Sequence, residues 1–366
     1  MSDIVIAGYL GFANSGDEAL LSIVLSEIER RLPGRTVTVL SMRPRKTAAR
    51  YGVRARHRYN IIGMMREFRR SEVFLFGGGS LIQDATSRRS LRYYLLLLRL
   101  AKRCGMKTML FANGIGPLVR ESSRSDTASV LSDVDVITLR DPDSAALLES
   151  IGVTSPVVTV TADTAFLLGD SAVGDKRRVR QTGIPEGEKY AVISIRPHNA
   201  MGGVSLTEFI GCVRDFCRHL TKAHGIVPLL VPMQRRDMRM IRQIADGADV
   251  PVYIWDAPFS EADAAAVLGG AELTLGMRLH MLIFSAVAGT PMVGISYDPK
   301  VDSLCRSMGV PSVDVDVDAM TLCRVVDDVL GRREEISAHV RDEAERMASR
   351  AALNAEILAE LFRKQC

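Results

Sequence analysis

Along this chain apolar residues gather in short runs, and between the runs they recur at helical spacing. The runs predict strands at Ile4–Gly8, Thr36–Ser41, Val73–Phe76, Thr108–Phe111, Val136–Leu139 and Val157–Val160. In the second half they fall at Tyr190–Ile195, Val227–Val231, Val252–Trp255, Ala271–Leu275 and Met292–Ser296. Helical patterns fit between them, among them Asp17–Arg31, Leu206–Lys222, Gln234–Ala245 and the almost wholly apolar Met281–Ala288. Ser205 with Glu208 reads as a capping box that fixes one helix start, and Ser15 with Glu18 reads the same way. Strand and helix alternating in this manner point to an α/β protein with parallel sheets covered on both faces. The rhythm breaks at 169–189, where Gly, Asp, Ser, Pro and basic residues suit a linker. The expected organisation is a doubly wound domain over 1–170, a linker at 171–188, a second doubly wound domain over 189–332, and a long amphipathic helix within 333–366 that would cross back to the first. Two such domains would face each other across a cleft between their carboxyl edges, where sheets of this kind bind ligands.

A length of 366 residues with 47% hydrophobic content supports two domains with substantial cores. The net charge of +4 and the sparse aromatics carry no nucleic-acid signature. Six cysteines without a CxxC spacing read as reduced thiols of a cytoplasmic protein. The N-terminus has an acid, Asp3, where a signal peptide wants a base. The most lipophilic run, Tyr93–Leu98, is closed by Arg92 and Arg99 and is too short to span a bilayer. One stretch departs from the mild overall charge: Arg43 to Arg58 holds six arginines and a lysine with no acid. The plain reading is a solvated loop; the other is a contact with an anionic membrane surface or a lipid-linked diphosphate.

Candidate chemistry concentrates in 271–300. A strand runs into Gly276, Arg278 and His280 open the next helix, and Lys300 follows the next strand. Cations and a proton carrier at neighbouring strand ends, one pair at a helix N-terminus, make an anion site with a proton donor. In the first half, Gly8 to Glu18 lacks the GxGxxG spacing, which argues against a nicotinamide cofactor, and its Asp17 sits in the first helical turn. Gly77-Gly78-Gly79-Ser80 and Asn113-Gly114-Ile115-Gly116-Pro117 each follow an apolar strand. Such glycines either let backbone amides approach a ligand or make a tight strand-to-helix turn. Arg140 ends a buried strand, to fork onto a carboxylate or phosphate or to pair with Asp141 or Asp143; Arg196 is open to the same two readings. The Asp-x-Asp strings at 133–135, 141–143 and 314–318 have no His or Cys cluster nearby, so no catalytic metal is expected.

Taken in order, Gly-Phe-Ala-Asn-Ser-Gly-Asp-Glu-Ala, Phe-Gly-Gly-Gly-Ser-Leu-Ile-Gln-Asp, Ala-Asn-Gly-Ile-Gly-Pro, Leu-Arg-Asp-Pro-Asp-Ser, Arg-Leu-His and Tyr-Asp-Pro-Lys-Val resemble the polysaccharide pyruvyl transferase family, most nearly its bacterial cell-surface-anchoring branch. The resemblance implies two Rossmann-like domains similar to the B-type glycosyltransferases, with the acceptor on the first and the donor on the second. It implies phosphoenolpyruvate as donor, used as a co-substrate with no cofactor. The acceptor would be an N-acetylmannosamine residue of a lipid-linked secondary cell wall polymer precursor, and the product a 4,6-ketal. By the same resemblance Arg140, Arg278 and Lys300 bind the donor, His280 is the general acid and Asp17 faces the acceptor. Asn14, Gly78, Gly79 and Asn113 line the loops beside it. The protein would work in the cytoplasm or at the inner face of the cell membrane. The rival reading is a B-type glycosyltransferase using a nucleotide-sugar donor.

Overall fold

The computed structural model describes residues 3–168, 177–197, 204–257 and 259–363. Two compact units emerge: Met1–Leu167 together with Met347–Cys366, and Leu168–Arg346. Part of the stretch expected as a linker, residues 171–176, lies outside the described residues.

The first unit alternates β1 (Ile4–Ala7), α1 (Ser15–Arg31), β2 (Val37–Ser41), α2 (Pro44–Tyr51), β3 (Arg54–His57), α3 (Ile61–Phe68), β4 (Val73–Ile82), α4 (Arg88–Arg103), β5 (Lys107–Ile115), α5 (Glu121–Leu131), β6 (Val136–Leu139), α6 (Pro142–Ser150) and β7 (Val158–Val160). Its seven strands lie in the order β3-β2-β1-β4-β5-β6-β7, and every pairing is parallel. Central strands such as β1 are buried on both faces, which is why they read as continuous apolar runs. One face packs Phe68, Tyr94, Leu97, Leu98 and Leu131 against the sheet; the other packs Leu21, Val24 and Ile28 of α1.

The second unit follows the same plan with α7 (Arg177–Arg180), β8 (Lys189–Ser194), α8 (Leu206–His224), β9 (Ile226–Leu230), α9 (Met238–Asp246), β10 (Tyr253–Ile254), α10 (Glu261–Leu268), β11 (Leu273–Gly276), α11 (Leu279–Val287), β12 (Met292–Ser296), α12 (Pro299–Ser307), β13 (Ser312–Asp314) and α13 (Ala319–Gly331). Its six strands are ordered β10-β9-β8-β11-β12-β13, again all parallel. The Ser205–Glu208 capping box is formed, each side chain meeting the other residue's backbone N–H. The last helix, α14 (Arg333–Arg363), starts in the second unit and ends in the first. There Ala355, Leu358 and Phe362 join the core beside α1.

The structure corrects several expectations. Arg43–Arg58 is not a loop but α2 and the edge strand β3. Gly77-Gly78-Gly79-Ser80 and Asn113-Gly114-Ile115 are not strand-to-helix turns: β4 and β5 run through them, with Gly79 paired to Asn113 and a register shift just beyond. Helix α1 is capped by Asn14, whose Oδ1 accepts from the Gly16 N–H at 3.2 Å, not by a Ser15–Glu18 box. Among the described residues no helix is long and apolar enough to cross a membrane.

Candidate functional site

In a parallel sheet every strand delivers its following loop to the same edge, so the residues after β1, β4, β5 and β6 share one edge of the first unit. The loop after β1 is held open by side chains. Glu18 accepts from the Gly11 N–H at 3.0 Å and from the Tyr51 hydroxyl at 2.9 Å, and Tyr9 stacks on Phe12 at 4.0 Å. Ala13 and Ala112 both carry left-handed φ angles, 59° and 51°. Each such non-glycine residue costs about 1–3 kcal/mol, a strain that clusters at functional sites. The two alanines immediately precede Asn14 and Asn113.

Asp17 lies against the bare face of Gly79: a Cβ built there would stand 3.5 Å from Asp17 Oδ1, and Gly79 itself has a φ of +82°. Asn113 is fully buried, its amide donates to the Gly79 carbonyl at 3.4 Å, and its Oδ1 meets no donor. Burial pushes the Tyr94 phenol up to about 12; Arg58 pulls against that rise and the Asp17 charge adds to it. Asp17, Gly78, Gly79 and Asn113 are thus gathered at one edge, as a half-buried carboxylate beside buried glycine backbone.

Of the two readings open for Arg140, the structure shows the ion pair with Asp141 and adds a second acid, Asp163. Its guanidinium is 5% exposed, pairs with buried Asp163 at 2.9 Å, reaches Asp141 at 3.5 Å, and donates to Ser80 Oγ. A Cβ on Gly114 would sit 2.8 Å from its Nε and Nη2, so the glycine makes room for it. Arg140 therefore ties β4, β5 and β6 together, with its charge balanced by two acids. Asp163 went unnoticed in the sequence, where nothing marks an acid after a short strand as the partner of an arginine after the strand before it.

In the second unit, Arg196, Arg278 and Lys300 follow β8, β11 and β12, which are consecutive in the sheet. Tyr297 organises them: the Arg196 guanidinium lies 4.6 Å from its ring centre and donates to its hydroxyl at 2.9 Å, and Lys300 Nζ lies 5.6 Å from the same ring. Lys300 also pairs with Asp298 at 2.7 Å, and Arg278 pairs with fully buried Asp237. Burial pushes the Arg278 guanidinium below its ordinary value; Asp237 opposes that and Arg196 reinforces it, placing the two arginines within electrostatic reach. Asp237 and Tyr297 were missed, although Tyr297 stands inside the Tyr-Asp-Pro-Lys motif. Its aromatic ring beside a lysine is the signal that was available.

His280 is the second residue of α11, partly exposed, with its ring beside Phe284 at 6.3 Å. The N-cap of this helix, Arg278, supplies no side-chain hydrogen bond, and a helix N-terminus favours an anion. Three cations against two acids, beside a helix N-terminus, leave this sheet edge net positive. The candidate residues form two clusters, one per sheet.

Elsewhere the Asp-x-Asp strings serve structure. Asp135 accepts from the Thr108 N–H at 2.8 Å, while Asp141 and Asp318 cap α6 and α13. Among the described residues one group converges in a metal-ligand arrangement: His219, His224 and Asp327, within 4.8 Å. It joins α8 to α13 where α8 ends just before β9, at the amino edge, opposite the cations.

Solved structures resemble the whole chain at low identity. Anabaena Alr3699/HepE in complex with UDP-glucose superposes with a TM-score of 0.66, 9% identity and 99% of each chain covered. A putative UDP-N-acetylglucosamine 2-epimerase from Listeria monocytogenes gives 0.62, 11% identity, and 93% and 91% coverage. These likenesses establish the fold, two Rossmann-like domains of the B-type glycosyltransferase kind. In sequence, the amylovoran biosynthesis protein AmsJ of Erwinia amylovora is 26% identical over 280 residues, spanning 72% of this chain and 66% of its own length, just under two thirds. Residues 14–299, which run from the cap of α1 to the start of α12, match the family described as polysaccharide pyruvyl transferase, and the chain belongs to that family.

Proposed function

We propose that this protein transfers pyruvate from phosphoenolpyruvate to a sugar diol of a polysaccharide or its precursor, forming a cyclic ketal and releasing phosphate. The observation that carries the reading is the cation cluster of the second unit, Arg196, Arg278 and Lys300 set around Tyr297 and the α11 N-terminus. Phosphoenolpyruvate carries a phosphate and a carboxylate on a three-carbon frame. Fixed guanidinium groups suit its planar, bidentate groups, and the helix amides suit its phosphate.

The chemistry follows from the donor. His280 gives a proton to the enol methylene, and one sugar hydroxyl, losing its proton to Asp17, bonds to the adjacent carbon. Phosphate then leaves that carbon, and the second hydroxyl closes the ring as its proton passes to the departing phosphate. One diol and one enol phosphate become one ketal and one phosphate. Arg140, neutralised by Asp163 and Asp141, acts here as a positioning residue that holds Ser80 at the end of β4 rather than as a primary donor ligand. For the acceptor, we propose the 4- and 6-hydroxyls of an N-acetylmannosamine residue in a lipid-linked cell wall polymer precursor, in keeping with the cell-surface-anchoring branch. The place of work is the cytoplasm or the inner face of the membrane.

The test mixes protein, phosphoenolpyruvate and a lipid-linked disaccharide bearing that sugar. Acceptor-dependent phosphate release with a mass gain of one pyruvate ketal is expected. Release of a nucleoside diphosphate from a nucleotide sugar instead would establish the glycosyltransferase reading. His280→Gln should lower kcat by about 10²–10⁴-fold, the usual worth of a general acid, with donor affinity little changed. Near-full turnover by that variant would remove the histidine from the mechanism.

A further inference from the structure

We propose that the first unit docks on an anionic phospholipid surface through an apolar tip formed by Tyr59, Ile61 and Ile62. The tip lies where β3 passes into α3, at the carboxyl edge of the sheet. Its three side chains are 59%, 62% and 78% exposed. Helix α3 buries Met64 and Phe68 on its inner face, so its first turn is turned outward against the amphipathic rule. Two adjacent exposed isoleucines with a tyrosine beside them are what an interfacial anchor presents: aliphatic groups for the acyl boundary and a phenol for the headgroups.

The surroundings supply the charge. Between Arg43 and Arg103 the chain holds sixteen basic and three acidic residues, although the whole protein is only +4. Of the three acids, Glu67 is buried against Arg56 and Asp84 is buried against Arg120. Helices α2, α3 and α4 all begin at this edge and none has an acid in its first turn, whereas α1, α5 and α6 do. Instead Arg45 and Lys46 open α2, and Arg88 and Arg89 open α4. Cations at a helix N-terminus oppose the helix dipole, so this placement weakens the fold locally while concentrating positive potential outward. Arg89 and Arg92 continue it along the solvent face of α4.

The tip is coupled to the acceptor loop. Arg58, buried directly before Tyr59, lies 4.4 Å from the Tyr93 ring centre, 5.5 Å from that of Tyr59 and 5.2 Å from that of Phe12, and donates to the Gly8 carbonyl at 3.4 Å. An acceptor held by a lipid would thus be met at the same edge that carries Asp17. That purpose rests on the proposed function; the docking itself rests on the surface alone. Exposed aliphatic side chains favour lipid over nucleic acid, which would call for stacking aromatics.

The experiment is co-sedimentation of the intact protein with vesicles of phosphatidylcholine alone or mixed with phosphatidylglycerol. Binding to the mixed vesicles only, weakening with salt, is expected. Arg45→Glu/Lys46→Glu and Ile61→Ser/Ile62→Ser should each weaken it at least tenfold; all four side chains are exposed, so melting of the isoleucine variant should be unchanged and that of the Glu variant, whose acids suit the α2 N-terminus, unchanged or raised. Loss of turnover on vesicle-embedded acceptor with retained turnover on a detergent-free soluble disaccharide would separate docking from catalysis. If the protein ignores the mixed vesicles, or binds them equally after the isoleucine changes, the proposal is overturned. Full competition by duplex DNA together with indifference to the isoleucines would mark a general polyanion surface and overturn it as well.

Discussion

Arg278 shows how little a residue's own identity decides. It was legible in the sequence as a cation after an apolar run, because strand ends in parallel sheets are where ligands go. What was not legible is Asp237, which reaches it from beyond β9, two strands away in the sheet. The partnership depends on which strands become neighbours, and local spacing says nothing of that. The same holds for Arg140 with Asp163 and for Arg196 with Tyr297. A buried ion pair contributes little net stability, yet removing one partner strands a charge and costs about 3–5 kcal/mol. Asp237→Asn should therefore lower the urea midpoint of the second unit substantially, and adding Arg278→Met should recover much of that loss. If the single variant melts like the parent protein, Asp237 does not balance Arg278 in the folded state.

At the scale of elements, the central strands were readable because burial on both faces leaves them almost wholly apolar. The edge strands β3 and β13 were not: Arg-Ala-Arg-His and Ser-Val-Asp carry the polar side chains that an edge exposes to water. The glycine stretches of β4 and β5 left a ligand-facing backbone and a tight turn both open, because glycine serves either, and only pairing with a neighbour reveals a strand. Beyond the end of β4, Asp84 fastens the following loop. Its buried carboxylate accepts from the Val119 N–H at 2.7 Å and the Arg120 N–H at 3.1 Å, and the Arg120 side chain pairs with it at 3.2 Å. Burial alone would raise its pKa; the Val119 and Arg120 donors outweigh that and hold it below the ordinary carboxylate value. A carboxyl depressed in the folded state stabilises fully above its unfolded pKa of about 3.9, and that contribution vanishes as pH falls through the folded value. Asp84→Asn should thus cost about 1–3 kcal/mol at pH 7. The gap between the two proteins should narrow below about pH 4. Denaturant titrations at both pH values check this; a gap independent of pH would mean the carboxylate charge contributes nothing.

Over the whole molecule the chain order and the physical order part company, and α14 is where they do. Its second half belongs with the first unit, more than 170 residues back along the chain. Asn354, fully buried, accepts from the Thr161 hydroxyl at 2.9 Å and donates to the Ala162 carbonyl at 3.2 Å, while Arg31 pairs with Glu356 at 2.7 Å. Leu358 and Phe362 fill the core that α1 alone leaves open, against Ile4, Ile6 and Val39. The core on this face of the first sheet is therefore not complete until α14 has been made. Leu358→Ala should destabilise by about 2–5 kcal/mol through lost burial and the cavity it leaves. The damage should appear in the first unit, so amides of β1, β2 and α1 should lose hydrogen-exchange protection while β8, β11 and β12 keep theirs. If protection fell equally in both units, the two would unfold as one cooperative body. If it fell in neither, the end of α14 would be only a passenger on the first sheet.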